Sequence, residues 1–291
     1  MFKVIAKNNI APDRYSMIIE APEVSRTCLP GQFVILIVEE NGERIPLTIC
    51  DNDPQLGEIT LVFEAIGVST KKLAHKEVGE YILHLVGPLG LPSKFVNEDI
   101  EILRNQHLLL VGGGLGAATL IPQGKWLKEN HIPFDVLLGS RSKEFIVLEE
   151  EFRKLADNLF IVTDDGSYGF HGLTPEGLKV LVEERKKFYD LCVIIGPMAM
   201  MKYTSLMTKK LNIPSVVSMN TIMVDGTGMC GACRVVIDGK TKFACVDGPE
   251  FDAHLVDFDG TLLRQGQYKK LEVEAHHEYC DLMEGMSDES I

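Results

Sequence analysis

Between residues 100 and 218 the chain settles into a rhythm that limits its fold more than any other feature. Apolar runs of strand length, in HLLLVGGG, FDVLLGS, LFIVTDDG, DLCVIIGP and PSVVSM, alternate with stretches of helical length. The helices are read in a stretch ending KWLKEN and in LEEEFRKLAD, TPEGLKVLVEERKKF and MAMMKYTSLMTKKL. Runs that are apolar throughout suit strands covered on both faces, so the alternation predicts βαβ units and a doubly wound parallel sheet.

Residues 1–98 read differently. Short apolar runs such as YSMIIEAP, GQFVILIVEE and GEITLVFEAIG are cut by Gly, Pro, Asn and Asp, which predicts a small antiparallel β-barrel or sandwich, with STKKLAHK as a short helix. At 291 residues the chain is long enough for several modules. The expected arrangement is multi-domain: an antiparallel β-barrel over 1–98, an α/β doubly wound nucleotide-binding domain over 99–218, and a small module over 219–291. The acidic end of that module, MEGMSDESI, is expected to fray.

A formal charge of −13 and a pI near 5.1 argue against nucleic acid or an anionic membrane surface as partner. No long apolar span suggests membrane insertion, and the start MFKVIAKNNIAPDRYS lacks the apolar core of a secretory signal, so a cytoplasmic location is expected. Seven cysteines, three of them crowded into residues 230–245, suit metal or redox chemistry better than a disulfide framework. Cys28, Cys50, Cys192 and Cys280 are read as free thiols. No catalytic acid, base or nucleophile is predicted; His107, His171, His254, His276 and His277 are scattered and read as surface or packing residues.

VGGGLGAA follows the first strand of the alternating section and opens a helix. Glycines there let backbone approach a pyrophosphate, and the helix start offers N–H groups to negative charge. Gly112, Gly113, Gly114, Gly116 and Ala117 are the candidate residues, although the spacing is not the strict G-x-G-x-x-G, and a tight turn that binds nothing is the competing reading. Two later loops at the same sheet edge, TDDGSYG with Asp164 and Gly166 and IIGPMAM with Gly196 and Pro197, favour a nicotinamide dinucleotide. No acidic residue closes the second strand, and Arg141 suits either a 2′-phosphate or plain solvent.

The stretch VDGTGMCGACRVVIDGKTKFAC carries the metal signal. Asp225-x4-Cys230-x2-Cys233-x11-Cys245 keeps the intervals of a plant-type 2Fe-2S site with aspartate in place of the first cysteine. A structural zinc site accepts three thiolates and a carboxylate but usually offers paired C-x2-C hooks, and Cys245 has no mate at that spacing. The spacing therefore favours a 2Fe-2S cluster on Asp225, Cys230, Cys233 and Cys245. Gly226, Gly228 and Gly231 suit a loop wrapped round it.

Arg44-Ile45-Pro46-Leu47-Thr48 in the barrel, with GVST at 67–70, completes a resemblance. Barrel, nucleotide domain and cluster module together resemble the ferredoxin reductase superfamily, and within it the electron-transfer subunits represented by the small subunit of NADH-dependent ferredoxin:NADP oxidoreductase and by that of dihydroorotate dehydrogenase. The resemblance implies FAD on Arg44, Pro46, Leu47 and Thr48, with Gly67, Ser69 and Thr70 at its diphosphate, and NAD(H) on the glycine loops. It further implies a heterodimer with a larger flavin/iron–sulfur oxidoreductase subunit, ferredoxin being reached through that partner. Aspartate at the first ligand position and the stretch FDAHLVDFD are similar to the bifurcating NADH-dependent enzyme, which ranks it above dihydroorotate dehydrogenase. A non-enzymatic metal- and nucleotide-binding module is the alternative from another class.

Overall fold

The structure, a computed structural model, describes the backbone of residues 1–288 and the side chains of residues 1–281. The barrel strands are β1 (Phe2–Ala11), β2 (Arg14–Glu20), β3 (Phe33–Ile37), β4 (Ile45–Asp53), β5 (Glu58–Glu64), β6 (Tyr81–Ile82) and β7 (His84–Leu89), with α1 (Pro22–Thr27) and α2 (Val68–His75) between them. They form one antiparallel sheet in the order β6-β1-β2-β5-β4-β3-β7. β6 and β7 stand at opposite edges of that order, yet Leu83 alone separates them in the chain, so the sheet must curl round on itself into a nearly closed barrel. Strand alternation fills it: Ile59, Leu61 and Phe63 of β5 and Met17 and Ile19 of β2 are all buried in one core. The barrel is the expected one, and STKKLAHK is the helix α2.

The second layer holds α3 (Ile100–Leu103), β8 (Leu108–Gly113), α4 (Gly116–Glu129), β9 (Phe134–Ser140), α5 (Glu149–Leu155), β10 (Asn158–Thr163), β11 (Phe170–His171), α6 (Thr174–Lys179), β12 (Leu191–Ile195), α7 (Met198–Lys210) and β13 (Ser215–Ser218). The five apolar runs are the parallel strands, in the order β10-β9-β8-β12-β13, with short β11 added at one edge. Leu108, Leu109, Leu110 and Val111 of the central strand are fully buried because their neighbours pack against separate cores on the two faces of the sheet. α6 is shorter than the sequence pattern suggests: it passes at Val180 into a wider π-helical turn that ends at Glu184.

The C-terminal section forms a hairpin of β14 (Arg234–Ile237) and β15 (Lys240–Phe243), then β16 (Glu250–Asp252), α8 (Phe258–Gln265) and α9 (Lys269–Asp288). β16 pairs antiparallel with β13, so the C-terminal section contributes an edge strand to the parallel sheet. The acidic tail enters α9 as far as residue 288; its last residues, 289–291, lie outside the described part. No helix among the described residues is long and apolar enough to cross a membrane.

Glu250 ties the three sections together. Its buried carboxylate accepts from Ser93 Oγ at 2.7 Å, from Lys94 N at 3.3 Å and from Gln123 Nε2 of α4 at 2.9 Å. Burial raises its pKa, against the opposing hydrogen bonds and the Lys94 charge. A carboxyl whose folded pKa is raised binds its proton more tightly in the folded state. Its contribution is full at low pH and is lost as pH climbs from the ordinary 4.5 through the raised value. Glu250→Gln, which cannot ionise, is therefore expected to gain on the native chain across that range. Thermal midpoints measured from pH 4 to 8 check it, through a difference that grows toward neutral pH.

Candidate cofactor and cluster sites

The glycine loops meet at one edge of the parallel sheet, because β8, β10 and β12 all run in the same direction and end there. Gly112 and Gly113 close β8, Asp164 and Gly166 follow β10, and Gly196 and Pro197 follow β12. Backbone hydrogen bonds stitch the loops, from Gly114 N to Gly139 O at 3.1 Å and from Asp164 N to Ser140 O at 3.0 Å. Gly116 is glycine for packing: a Cβ there would stand 2.3 Å from the Ile195 carbonyl oxygen. Gly114 is different. It has φ +55°, and a Cβ would meet only the Arg14 Nη2 tip, at 3.9 Å. Beside it, the N–H groups of Leu115 and Gly116 at the start of α4 find no acceptor among the described residues. An open backbone face with unpaired N–H groups at the head of a 14-residue helix fits a pyrophosphate.

Arg14 is a residue the sequence gives no sign of. It lies in the first hairpin of the barrel, yet its Nη1 donates to the Phe145 carbonyl at 2.7 Å and its guanidinium stacks over the Phe145 ring at 5.0 Å. Its Nε is buried with no hydrogen-bond partner among the described residues, 3.7 Å from Glu64 Oε1. The barrel thereby sets a cation beside the glycine loop. Arg141 is exposed, and Asp165 N donates to its carbonyl at 3.2 Å.

On the barrel, Arg44 stands just before β4, and Pro46, Leu47 and Thr48 lie within it, half-buried. Thr48 is paired across the sheet with Phe33 of β3, and Phe33 in turn with Leu89 of β7. β4 packs on α4, where Lys125 Nζ reaches Asp51 Oδ2 at 2.5 Å, so the RIPLT strand and the glycine-loop helix lie side by side. Gly67 caps α2, and Thr70 Oγ1 accepts from Gly67 N at 3.1 Å. The next N–H groups, of Val68, Ser69 and Thr70, have no acceptor among the described residues, which fits a phosphate there. The Ser69 hydroxyl donates to Glu43, which stands next to Arg44 in the chain.

Arg44 also points to the third site, its Nη1 approaching the Val224 carbonyl at 3.5 Å. The loop that begins there lies on the barrel. Gly226 has φ +74°, and a Cβ would stand 2.7 Å from Ile35 Cδ1 of β3 and 2.8 Å from Leu89 Cδ1 of β7. Gly226→Ala is expected to lift the loop from the barrel and to destabilise the chain by about 2 kcal/mol. Chemical denaturation of the purified variant, with iron content measured alongside, checks both.

The four donors stand in two pairs. Cys230 Sγ is 3.2 Å from Asp225 Oδ1, and Cys233 Sγ is 3.1 Å from Cys245 Sγ, both cysteines of the second pair being unbridged and buried. Asp225 is fixed in place by Thr227 N on Oδ1 at 3.1 Å and Cys230 N on Oδ2 at 3.0 Å. The Thr227 N–H first, and Cys230 with it, hold that carboxyl below the usual range, ready as an anionic ligand. Burial pushes the Cys245 thiol up to about 12, with the adjacent Cys233 adding to the shift, so its proton leaves only against a metal.

A single tetrahedral ion needs all its donors within about 4 Å of one another. Among the described residues the one set of three with donors all within 4.8 Å is His107, Asp135 and Asp157, at the far end of the sheet, where Lys187 Nζ already pairs with Asp135 at 3.1 Å. No three of the four donors in the cysteine loop meet that limit, whereas two pairs suit two irons with two protein ligands each. The donor arrangement, two close pairs, thus fits a 2Fe-2S cluster.

Residues 220–257, the span of this loop and its hairpin, match the family profile described as the iron–sulfur cluster binding domain of dihydroorotate dehydrogenase B. Over 93% of its length the chain is 45% identical to 92% of the Thermotoga maritima homologue of the dihydroorotate dehydrogenase B (NAD(+)) electron transfer subunit. The chain belongs to this family of electron-transfer subunits. It is 32% identical to the electron transfer subunit of dihydroorotate dehydrogenase B from Desulforamulus reducens, covering 86% of this chain and 94% of that one. It is also similar to a chain of the solved NADH-dependent reduced ferredoxin-NADP oxidoreductase, a structure described for flavin-based electron bifurcation. That match has a TM-score of 0.87 and 41% identity, over 96% of this chain and 98% of the other.

Proposed function

We propose that the chain is the electron-transfer subunit of a flavin-based, electron-bifurcating NADH-dependent ferredoxin:NADP oxidoreductase, carrying electrons between NAD(H), FAD and a 2Fe-2S cluster. The observation that carries the reading is the placement of the Asp225 loop on the barrel, with Gly226 against β3 and β7 and Arg44 of the RIPLT stretch touching Val224. One continuous surface thus joins the proposed flavin strand to the proposed cluster ligands, while α4 joins the same strand to the glycine loops. When bound, the flavin supplies exchange between a two-electron hydride carrier and a one-electron centre.

The chain's own residues bind and orient. Gly112, Gly113, Gly114, Gly116, Ala117, Asp164, Gly166, Gly196 and Pro197 line the edge where the dinucleotide rests, with Arg14 as a cation for its pyrophosphate. Arg44, Pro46, Leu47 and Thr48 form the flavin strand, and Gly67, Ser69 and Thr70 present the α2 N–H groups to its diphosphate. Asp225, Cys230, Cys233 and Cys245 hold the cluster. The domain limits follow: FAD barrel 1–98, NAD domain 99–218, cluster module 219–291, in a cytoplasmic protein. Cys230 is exposed and Met229 is 87% exposed, so the cluster end is open to the larger flavin/iron–sulfur subunit.

A second reading, the electron-transfer subunit of NAD-dependent dihydroorotate dehydrogenase, is favoured by the names of the relatives, and the Asp225 ligand stands against it. Co-purification separates the two. A partner that oxidises NADPH and reduces ferredoxin is expected; one that oxidises dihydroorotate overturns the first reading.

A further inference from the structure

Behind the cluster loop stand two guanidinium groups. Arg234 Nη1 donates to the Gly231 carbonyl and Arg264 Nη2 to the Ala232 carbonyl, each at 3.2 Å. Neither arginine is paired with a carboxylate among the described residues. They face the same small cavity, together with Thr221 and Thr261.

α8 holds Arg264 at this place. Asp257 caps the helix through Gly260 N at 3.0 Å, Phe258 and Thr261 are buried beneath it, and Lys202 of α7 binds Asp259 at 2.6 Å. One residue further, Gln265 Nε2 donates to the Asn220 carbonyl at 2.5 Å, so the end of α8 grips the cluster section at two points.

Gly231 and Ala232 are the two residues between Cys230 and Cys233. In a planar trans peptide the carbonyl and the N–H point in opposite directions. Fixing the carbonyls of 231 and 232 toward the guanidinium groups turns the N–H groups of Ala232 and Cys233 the other way. Neither N–H has an acceptor among the described residues. A cluster held by three thiolates and a carboxylate is anionic, and reduction adds one more negative charge; nearby cations and N–H donors favour that reduced state.

We propose that Arg234 and Arg264 are positioning residues that raise the reduction potential of the cluster, by turning the 231–233 peptides toward it and by placing positive charge behind them. The proposal rests on the assignment of the cluster to Asp225, Cys230, Cys233 and Cys245. The test is a redox titration of the full chain, reconstituted anaerobically with iron and sulfide and followed by EPR. Iron and acid-labile sulfide are measured in each variant.

Arg264→Gln is expected to lower the reduced-to-oxidised ratio at a fixed potential about tenfold, which for a one-electron couple is about 59 mV. Arg234→Gln shifts it in the same direction by less, since that side chain is exposed. Arg264→Lys, which keeps the charge, recovers most of the difference. Unshifted midpoints in cluster-bearing glutamine variants overturn the proposal, and a lysine variant shifted as far as Arg264→Gln overturns the role of charge. Should Arg264→Gln fail to take up iron, Arg234→Gln, which leaves the α8 contacts in place, decides alone. A native chain that binds no iron refutes the cluster assignment itself, and this proposal with it.

Discussion

Cys245→Ser is expected to remove the cluster while leaving the flavin half of the chain at work. Cys245 is buried and paired with Cys233 at 3.1 Å, and no other cysteine stands near enough to replace it; Cys28, Cys50 and Cys192 lie in the barrel or the nucleotide domain and Cys280 on α9. Iron content should fall close to zero. Because the cysteine loop gives the glycine loops no hydrogen bond and meets the RIPLT stretch only through the long bond from Arg44 Nη1 to the Val224 carbonyl at 3.5 Å, reduction of ferricyanide by NADH should stay within about twofold of native. Transfer to a one-electron protein acceptor should fall by at least about 100-fold, beyond what loss of a residue that only supports a ligand causes. Loss of both activities together would mean that the cluster loop holds the flavin site in shape.

Asp225→Cys is expected to keep the cluster and lower its potential. The substitution completes the four-cysteine pattern at unchanged spacing, so assembly should survive. A thiolate donates more electron density to iron than a carboxylate does. The carboxylate here is further drained by the N–H groups of Thr227 and Cys230, two bonds that a sulfur would accept less well. Both differences disfavour the added electron. A fall of about tenfold in the reduced-to-oxidised ratio at fixed potential, read by EPR titration, corresponds to about 59 mV. An unchanged titration would remove Asp225 from the ligand set.

The sequence is most informative where chemistry depends on local spacing. The interval from Asp225 to Cys245 picks out the candidate cluster ligands because a loop wrapped round a small inorganic core tolerates few lengths. The alternation of β8 to β13 identifies the parallel sheet because strands buried on both faces must be apolar throughout. What distant segments do together is hidden. Arg264 reaches Ala232 across 32 residues, and no pattern around LLRQ distinguishes it from a solvated helix cation. Arg14 meets Phe145 across 131 residues. β16 is three residues long, too short for period-two alternation to register, and its return to β13 is specified by register with Val216, Val217 and Ser218 alone. Several glycines of the nucleotide loop have a second reason the motif does not convey: at Gly116 the Ile195 carbonyl, and not a ligand, excludes a side chain.

One chain is expected to wire a pyridine nucleotide to a one-electron cluster through bound FAD. The direct measurement is an anaerobic NADH titration of the reconstituted chain, followed at once by visible absorption and by EPR. The flavin bands should bleach, and a paramagnetic signal from the reduced cluster should grow with them toward about one spin per chain. Bleaching of the flavin by excess NADH with no paramagnetic signal, in a chain shown to contain iron and sulfide, would contradict it.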